Sequence, residues 1–125
     1  MDITQTRAIV TGGASGLGAA TAKAFVGAGA QVTIFDRDPK GAAYAADIGA
    51  QFAQVDVTDD ASVRAGLDHA GDINAVINCA GIVITEKTLG RDGPHDQDSF
   101  NRTTDINLNG TFNVCLLYTS DAADE

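Results

Sequence analysis

Apolar and polar positions alternate along this chain in blocks that predict strands and helices in strict succession. Ala8-Ile9-Val10 is a short continuous apolar run that ends in the string TGGASGLG at Thr11–Gly18. Such a run predicts a buried strand feeding a glycine-rich turn. From Gly16, Leu17, Ala20, Thr21, Ala24, Phe25 and Ala28 recur at helical spacing, and Gly27 and Gly29 stop the helix. QVTIFD at 31–36 predicts a second strand. PKGAAYAADIG places Pro39 near a helix start and Gly49 after its end. AQFAQVDV at 50–57 predicts a third strand. Asp59 or Asp60 can cap the next helix, which carries Val63 and Leu67 on one face. NAVINCAG at 74–81 predicts a fourth strand. VITEKTLGRDGPHDQD reads as a polar loop, and one long helix is expected from near Asp98 through FNRTTDINLNGTFNV.

This β-α-β-α-β-α-β-α succession predicts an α/β fold, a Rossmann-like doubly wound parallel sheet with helices on both faces. Right-handed crossovers and a reversal after the third strand give the order 3-2-1-4. At 125 residues the chain can bury one core. No internal repeat or low-complexity linker divides it.

Charge and cysteine narrow the functional classes. The formal net charge is −9, and residues after Val114 contribute three acids and no base, so the remainder carries about −6. An acidic chain of this kind is expected to bind neither nucleic acid nor anionic membrane. Cys79 and Cys115 make no disulfide framework and are read as reduced. The start, MDITQTRAIV, lacks the basic flank and long apolar core of a secretory signal. No apolar run is long enough to span a bilayer, so a reducing cytoplasm is the expected compartment. His69 and His95 stand alone in polar surroundings, so no metal site is expected. Asn101-Arg102-Thr103 and Asn109-Gly110-Thr111 match the glycosylation acceptor pattern, which has no consequence in a chain without an export signal.

Candidate chemistry gathers at the strand ends. A glycine-rich run alone also makes ordinary turns, but here it follows a strand and opens a helix. Gly12 would permit the tight turn, Gly16 a close approach by a pyrophosphate, and Gly18 close helix–strand packing. Free N–H groups and the helix dipole favour a phosphate there. Asp36 ends the second strand, where a carboxylate can accept from both ribose hydroxyls of an adenosine. It would repel a 2′-phosphate, so it favours NAD over NADP. Its plainer role is a turn-forming Asp before Arg37. Asp56-Val57 ends the third strand, beside the position of an adenine in this architecture. Cys79, Ala80 and Gly81 end the fourth at the switch point, where small residues would let a nicotinamide ribose approach. Cys79 has no basic partner in sequence that would make it a nucleophile.

Together TGGASGLG, Asp36, Asp56-Val57, NCAG and INLNGTF resemble the short-chain dehydrogenase/reductase family over residues 7–114. The narrower likeness is to the NAD-dependent type II 3-hydroxyacyl-CoA dehydrogenases. The resemblance implies that Gly12, Gly16 and Gly18 line the pyrophosphate, with Ser15 and Leu17 contacting cofactor. It implies that Asp36 binds the adenosine ribose, that Asp56 and Val57 hold adenine, and that Cys79, Ala80 and Gly81 border the nicotinamide ribose. Asn107 matches the family's helix asparagine, which helps hold a water in a proton relay. The implied reaction is hydride transfer between a secondary alcohol, such as a 3-hydroxyacyl-CoA, and NAD. The implied full-length form is a homo-oligomer. The family's Ser and Tyr-x-x-x-Lys are expected beyond this chain: Tyr44 is followed at the fourth position by Ile48, and Tyr118 by Ala122. The fragment itself is therefore expected to be inactive. Two other readings stay open, a non-catalytic dinucleotide-binding module and a 3-oxoacyl-carrier-protein reductase. Asp36 disfavours the NADP usual in the latter.

The last eleven residues, CLLYTSDAADE, read as the translation of a transposon-end adapter used in preparing sequencing libraries. Residues 1–114 are accordingly expected to be the native, dinucleotide-binding part, and residues 115–125 an adapter-derived tail. The fourth strand would then be an unpaired edge, which favours aggregation.

Overall fold

The computed structural model describes the backbone of residues 1–123 and the side chains of residues 1–120. Strand β1 (Arg7–Thr11) leads through the glycine-rich turn to α1 (Gly16–Gly27). There follow β2 (Gln31–Asp36), α2 (Gly41–Ile48), β3 (Gln51–Gln54), α3 (Asp60–Ala70) and β4 (Ala75–Asn78). The four strands form one parallel sheet in the order β3-β2-β1-β4, as the alternation predicts.

Alternating side chains of the central strands feed two apolar layers, because successive residues of a strand face opposite sides. Ile9 and Phe35 join Val55, Val63, Leu67, Val114 and Leu117 on one face. Val10 and Ile34 join Ala22, Ala30, Val32 and Ala45 on the other. Phe35 is 1% exposed, so its burial contributes about 2–3 kcal/mol. Small residues on α1 and α2 let those helices lie close to the sheet, and Tyr44 Oη donates to the Ala19 carbonyl at 2.7 Å to tie the two together.

The structure is more divided than the pattern predicts in three places. β3 stops at Gln54, because its register with β2 runs out at Asp36; Val55 and Val57 continue inward as buried residues. The expected polar loop carries a small antiparallel pair, β5 (Leu89–Gly90) with β6 (Gly93–Pro94). The expected single helix is α4 (Gln97–Thr104), a π-helical stretch at Asp105–Gly110, and α5 (Thr111–Ala123). Asp96 caps α4, accepting from Ser99 N–H at 2.9 Å. Asp59, one of the two expected caps, accepts from Ala61 N–H at 3.0 Å at the start of α3.

Residues Cys115–Ser120 continue α5, and Leu117 packs in the core beside Val114. β4 pairs with β1 alone among the described strands. Among the described residues no helix is long and apolar enough to cross a membrane.

Candidate dinucleotide site

The C-terminal ends of all four main strands open onto one cavity of about 400 Å³. In open α/β sheets ligands lie at this end, where the strand order reverses; here that point falls between β1 and β4.

The first wall is the turn after β1. Gly12 takes φ +63°, a left-handed conformation that glycine adopts without strain. A Cβ on Gly18 would run into the Gly12 carbonyl, so the first turn of α1 folds directly onto the loop. A Cβ on Gly16 would meet nothing within 4 Å, which leaves the helix N-terminus accessible from the cavity. Ser15 is the N-cap of α1, yet its side chain makes no capping hydrogen bond. Its hydroxyl and the free N–H groups of the first turn are therefore available to an anion. Leu17 also lines the cavity and is 84% exposed.

The second wall is acidic. Asp36 Oδ2 accepts from Ala14 N–H at 3.0 Å, and Oδ1 accepts from Asp38 N–H at 3.0 Å. One carboxylate thus braces the glycine-rich loop and makes its own turn, while still lining the cavity. Asp56 and Val57 follow β3. Asp56 Oδ1 accepts from Thr58 Oγ1 at 2.7 Å and from Thr58 N–H at 2.9 Å. The Thr58 hydroxyl, then its N–H, hold the Asp56 carboxyl below the usual carboxylate range, with Arg37 adding to the effect against a small cost of burial.

The third wall follows β4. Cys79, Ala80 and Gly81 line it, and Thr11 fixes the first two. Thr11 Oγ1 accepts from both Cys79 and Ala80 N–H at 3.1 Å, and the Thr11 side chain is buried. Asn107 lies behind this wall rather than in it. Its Oδ1 accepts from Ile82 N–H and its Nδ2 donates to the Ile82 carbonyl, both at 2.8 Å. The π-helical stretch carries Asn107 to this position; such stretches are frequent at functional sites.

All the strand-end and loop residues singled out in the sequence therefore converge on one cavity, with Asn107 one layer out. Phe35, Arg37, Val55, Ile82 and Ile106 complete the lining and carry no motif that would announce them. Thr11 lay inside the quoted motif without a role of its own. His69 and His95 lie outside this cavity, and among the described residues no group of three or more His, Cys, Asp or Glu could hold a metal ion.

This arrangement has close parallels. The family model for short chain dehydrogenase matches residues 6–122. The chain belongs to the short-chain dehydrogenase family. Among its relatives is the 3-hydroxyacyl-CoA dehydrogenase type-2 of Homo sapiens, 42% identical over 119 residues, which cover 88% of this chain and 46% of that protein. A solved short chain dehydrogenase/reductase family protein superposes with a TM-score of 0.79 at 35% identity, covering 91% of this chain and 48% of that one. The ribose-5-phosphate isomerase structure from Brucella melitensis 16M gives 0.81 at 32% identity, covering 94% and 46%. This short-chain dehydrogenase chain spans about half the length of the curated relatives it matches.

Proposed function

We propose that this chain is the NAD-binding part of a short-chain oxidoreductase that interconverts a secondary alcohol and a ketone. The observation that carries the reading is the single cavity in which an unblocked helix N-terminus, the Asp36 carboxylate and the small residues after β4 face one another. The fit to a dinucleotide follows from the donor set. Backbone N–H groups at the start of α1, with Ser15, would hold a pyrophosphate. Asp36 would accept from the ribose hydroxyls through the lone pairs left by Ala14 and Asp38, and its charge would repel a 2′-phosphate. Asp56 and Val57 would border the adenine. Cys79, Ala80 and Gly81 would leave room for the nicotinamide ribose.

A bound nicotinamide supplies or accepts the hydride. The chain's own part is to bind, orient and brace. Thr11 and Asn107 fasten the segment after β4 from opposite ends, so the nicotinamide end of the site is fixed before a ligand enters. With both polar ends of its side chain engaged by Ile82, Asn107 would offer a relay water its backbone carbonyl, which also accepts from Thr111 Oγ1 at 3.4 Å.

The similarity to 3-hydroxyacyl-CoA dehydrogenase type-2 supports an acyl-CoA as the substrate of the whole protein. In this reading the general acid and its Lys lie in sequence beyond this chain, Val114 is the last native residue, and the 125-residue chain binds NAD without turnover. The natural protein would be a homo-oligomer.

The test is to read the source DNA past the codon for Val114 and express the frame found there. A continuation through a Ser and a Tyr-x-x-x-Lys, with NAD-linked oxidation of a 3-hydroxyacyl-CoA, is expected. A source frame that encodes CLLYTSDAADE and then stops would instead leave a non-catalytic binding module.

A further inference from the structure

Asp56 stands between the main cavity and a second, more polar one of about 320 Å³. The second cavity shares Arg37, Asp56 and Ile106 with the first and reaches Thr58 and α4. Its two acceptor oxygens are not equivalent. Oδ1 takes both donors of Thr58, the hydroxyl at 2.7 Å and the N–H at 2.9 Å. Oδ2 takes no hydrogen bond among the described residues. The backbone of Asp56 is held as well, its N–H donating to Ser62 Oγ at 2.9 Å at the start of α3. The carboxylate is thus clamped through one oxygen, and the other remains free to accept.

We infer that Thr58 is a positioning residue for the base end of the site: by occupying Oδ1 of Asp56 it presents Oδ2 as a fixed acceptor, and so selects a purine with an exocyclic amine. The inference rests on the dinucleotide reading and deepens it, since it assigns base selectivity to a residue that would not touch the base. The chemistry is one of sign. A 6-amino group donates to a carboxylate oxygen, whereas a 6-keto group presents a second acceptor and is repelled. Discrimination of this kind is strong only when the acceptor cannot turn away. Without the Thr58 hydroxyl the carboxylate keeps one backbone donor and gains freedom to rotate. Arg37, Asp98, Arg102 and Asp105 line the same polar cavity, and Asp36 the main one; of these five charged groups that face the region, Arg37 favours the ionised Asp56 carboxylate.

The experiment uses the purified chain, titrated calorimetrically with NAD and with nicotinamide hypoxanthine dinucleotide, as wild type, Thr58→Val and Thr58→Ser. Val keeps the size and the backbone donor and removes only the hydroxyl; Ser restores it. The wild type is expected to prefer NAD. Thr58→Val should reduce that preference by about threefold to tenfold, in the range of one ordinary hydrogen bond at an exposed carboxylate, and Thr58→Ser should recover it. The acid limb of NAD binding should move to higher pH in Thr58→Val, because its carboxylate loses the hydroxyl that favours ionisation. A merely structural Thr58 would lower both affinities together and leave the ratio and the pH limb in place, and that result overturns the inference alone. Absence of NAD binding by the folded wild type overturns the dinucleotide reading and this inference with it.

Discussion

Asn107 and Ile82 are joined by two hydrogen bonds of 2.8 Å, one in each direction, between a single side-chain amide and a single backbone residue. They lie 25 positions apart, and the pair fastens the segment after β4 to the π-helical stretch. Replacing Asn107 by Ala leaves both Ile82 groups without protein partners. Both bonds are solvent-exposed, so we expect a loss of about 0.5–1.5 kcal/mol, read by chemical denaturation, with amide exchange accelerated at Ile82 and not at β1. Unchanged exchange at Ile82 would remove the bracing role.

Thr11 performs the matching task from the strand side. Its buried hydroxyl accepts two N–H groups, from Cys79 and Ala80. Thr11→Val keeps the shape and orphans those donors, although Cys79 N–H retains the Thr11 carbonyl at 3.2 Å. The cost should be about 1–3 kcal/mol, and Thr11→Ser should restore most of it. Equal stability of the Val and Ser variants would contradict this assignment.

Asp36 is both a brace and a candidate selector. Asp36→Ala should lower NAD affinity by about tenfold or more and move the NAD to NADP preference toward parity. Ala14 N–H loses its partner in the same variant, so the melting temperature should fall as well. A variant that loses stability and keeps its cofactor preference would reduce Asp36 to a turn residue.

Low pH should weaken the fold through three hydrogen-bonded carboxylates, one at the candidate site and two at the start of α4. The Thr58 donors hold Asp56 below the usual carboxylate range, and the Ser99 donors do the same for Asp96 at the start of α4. The Asp96 N–H has this effect on Glu86. A carboxylate whose folded value is depressed stabilises the fold above the unfolded value, and loses that contribution as pH falls through the folded one. Stability should therefore be level down to about pH 5 and decline below about pH 4. A loss centred near neutrality would point away from these carboxylates.

Much of the fold was legible because parallel strands are buried on both faces and read as apolar runs. Ile9, Val10, Ile34 and Phe35 announce the central strands, and glycines or acids mark where each one stops. The hairpin at Leu89–Pro94 was not legible, since two-residue strands have no period to detect. Nor was the π-helical stretch. INLNGTF falls inside the expected long helix although its two Asn and its Gly are poor helix formers, and the extra residue in its turn shows only in the backbone. At the site, residues in motifs were found and plain apolar ones were not. Phe35 and Val55 look like core, and they line the cavity only because the ends of β2 and β3 are its floor. Thr58 follows the Asp56-Val57 pair without any mark of its own, and its hold on Asp56 is visible only in three dimensions.

The most direct test of the account is a calorimetric titration of the purified chain with NAD and, separately, with NADP. One saturable site for NAD, with NADP weaker by at least about tenfold, or 1.4 kcal/mol, is the expected result. A folded chain that binds neither, or that prefers NADP, would contradict the assignment of the strand-end cavity as an NAD site governed by Asp36.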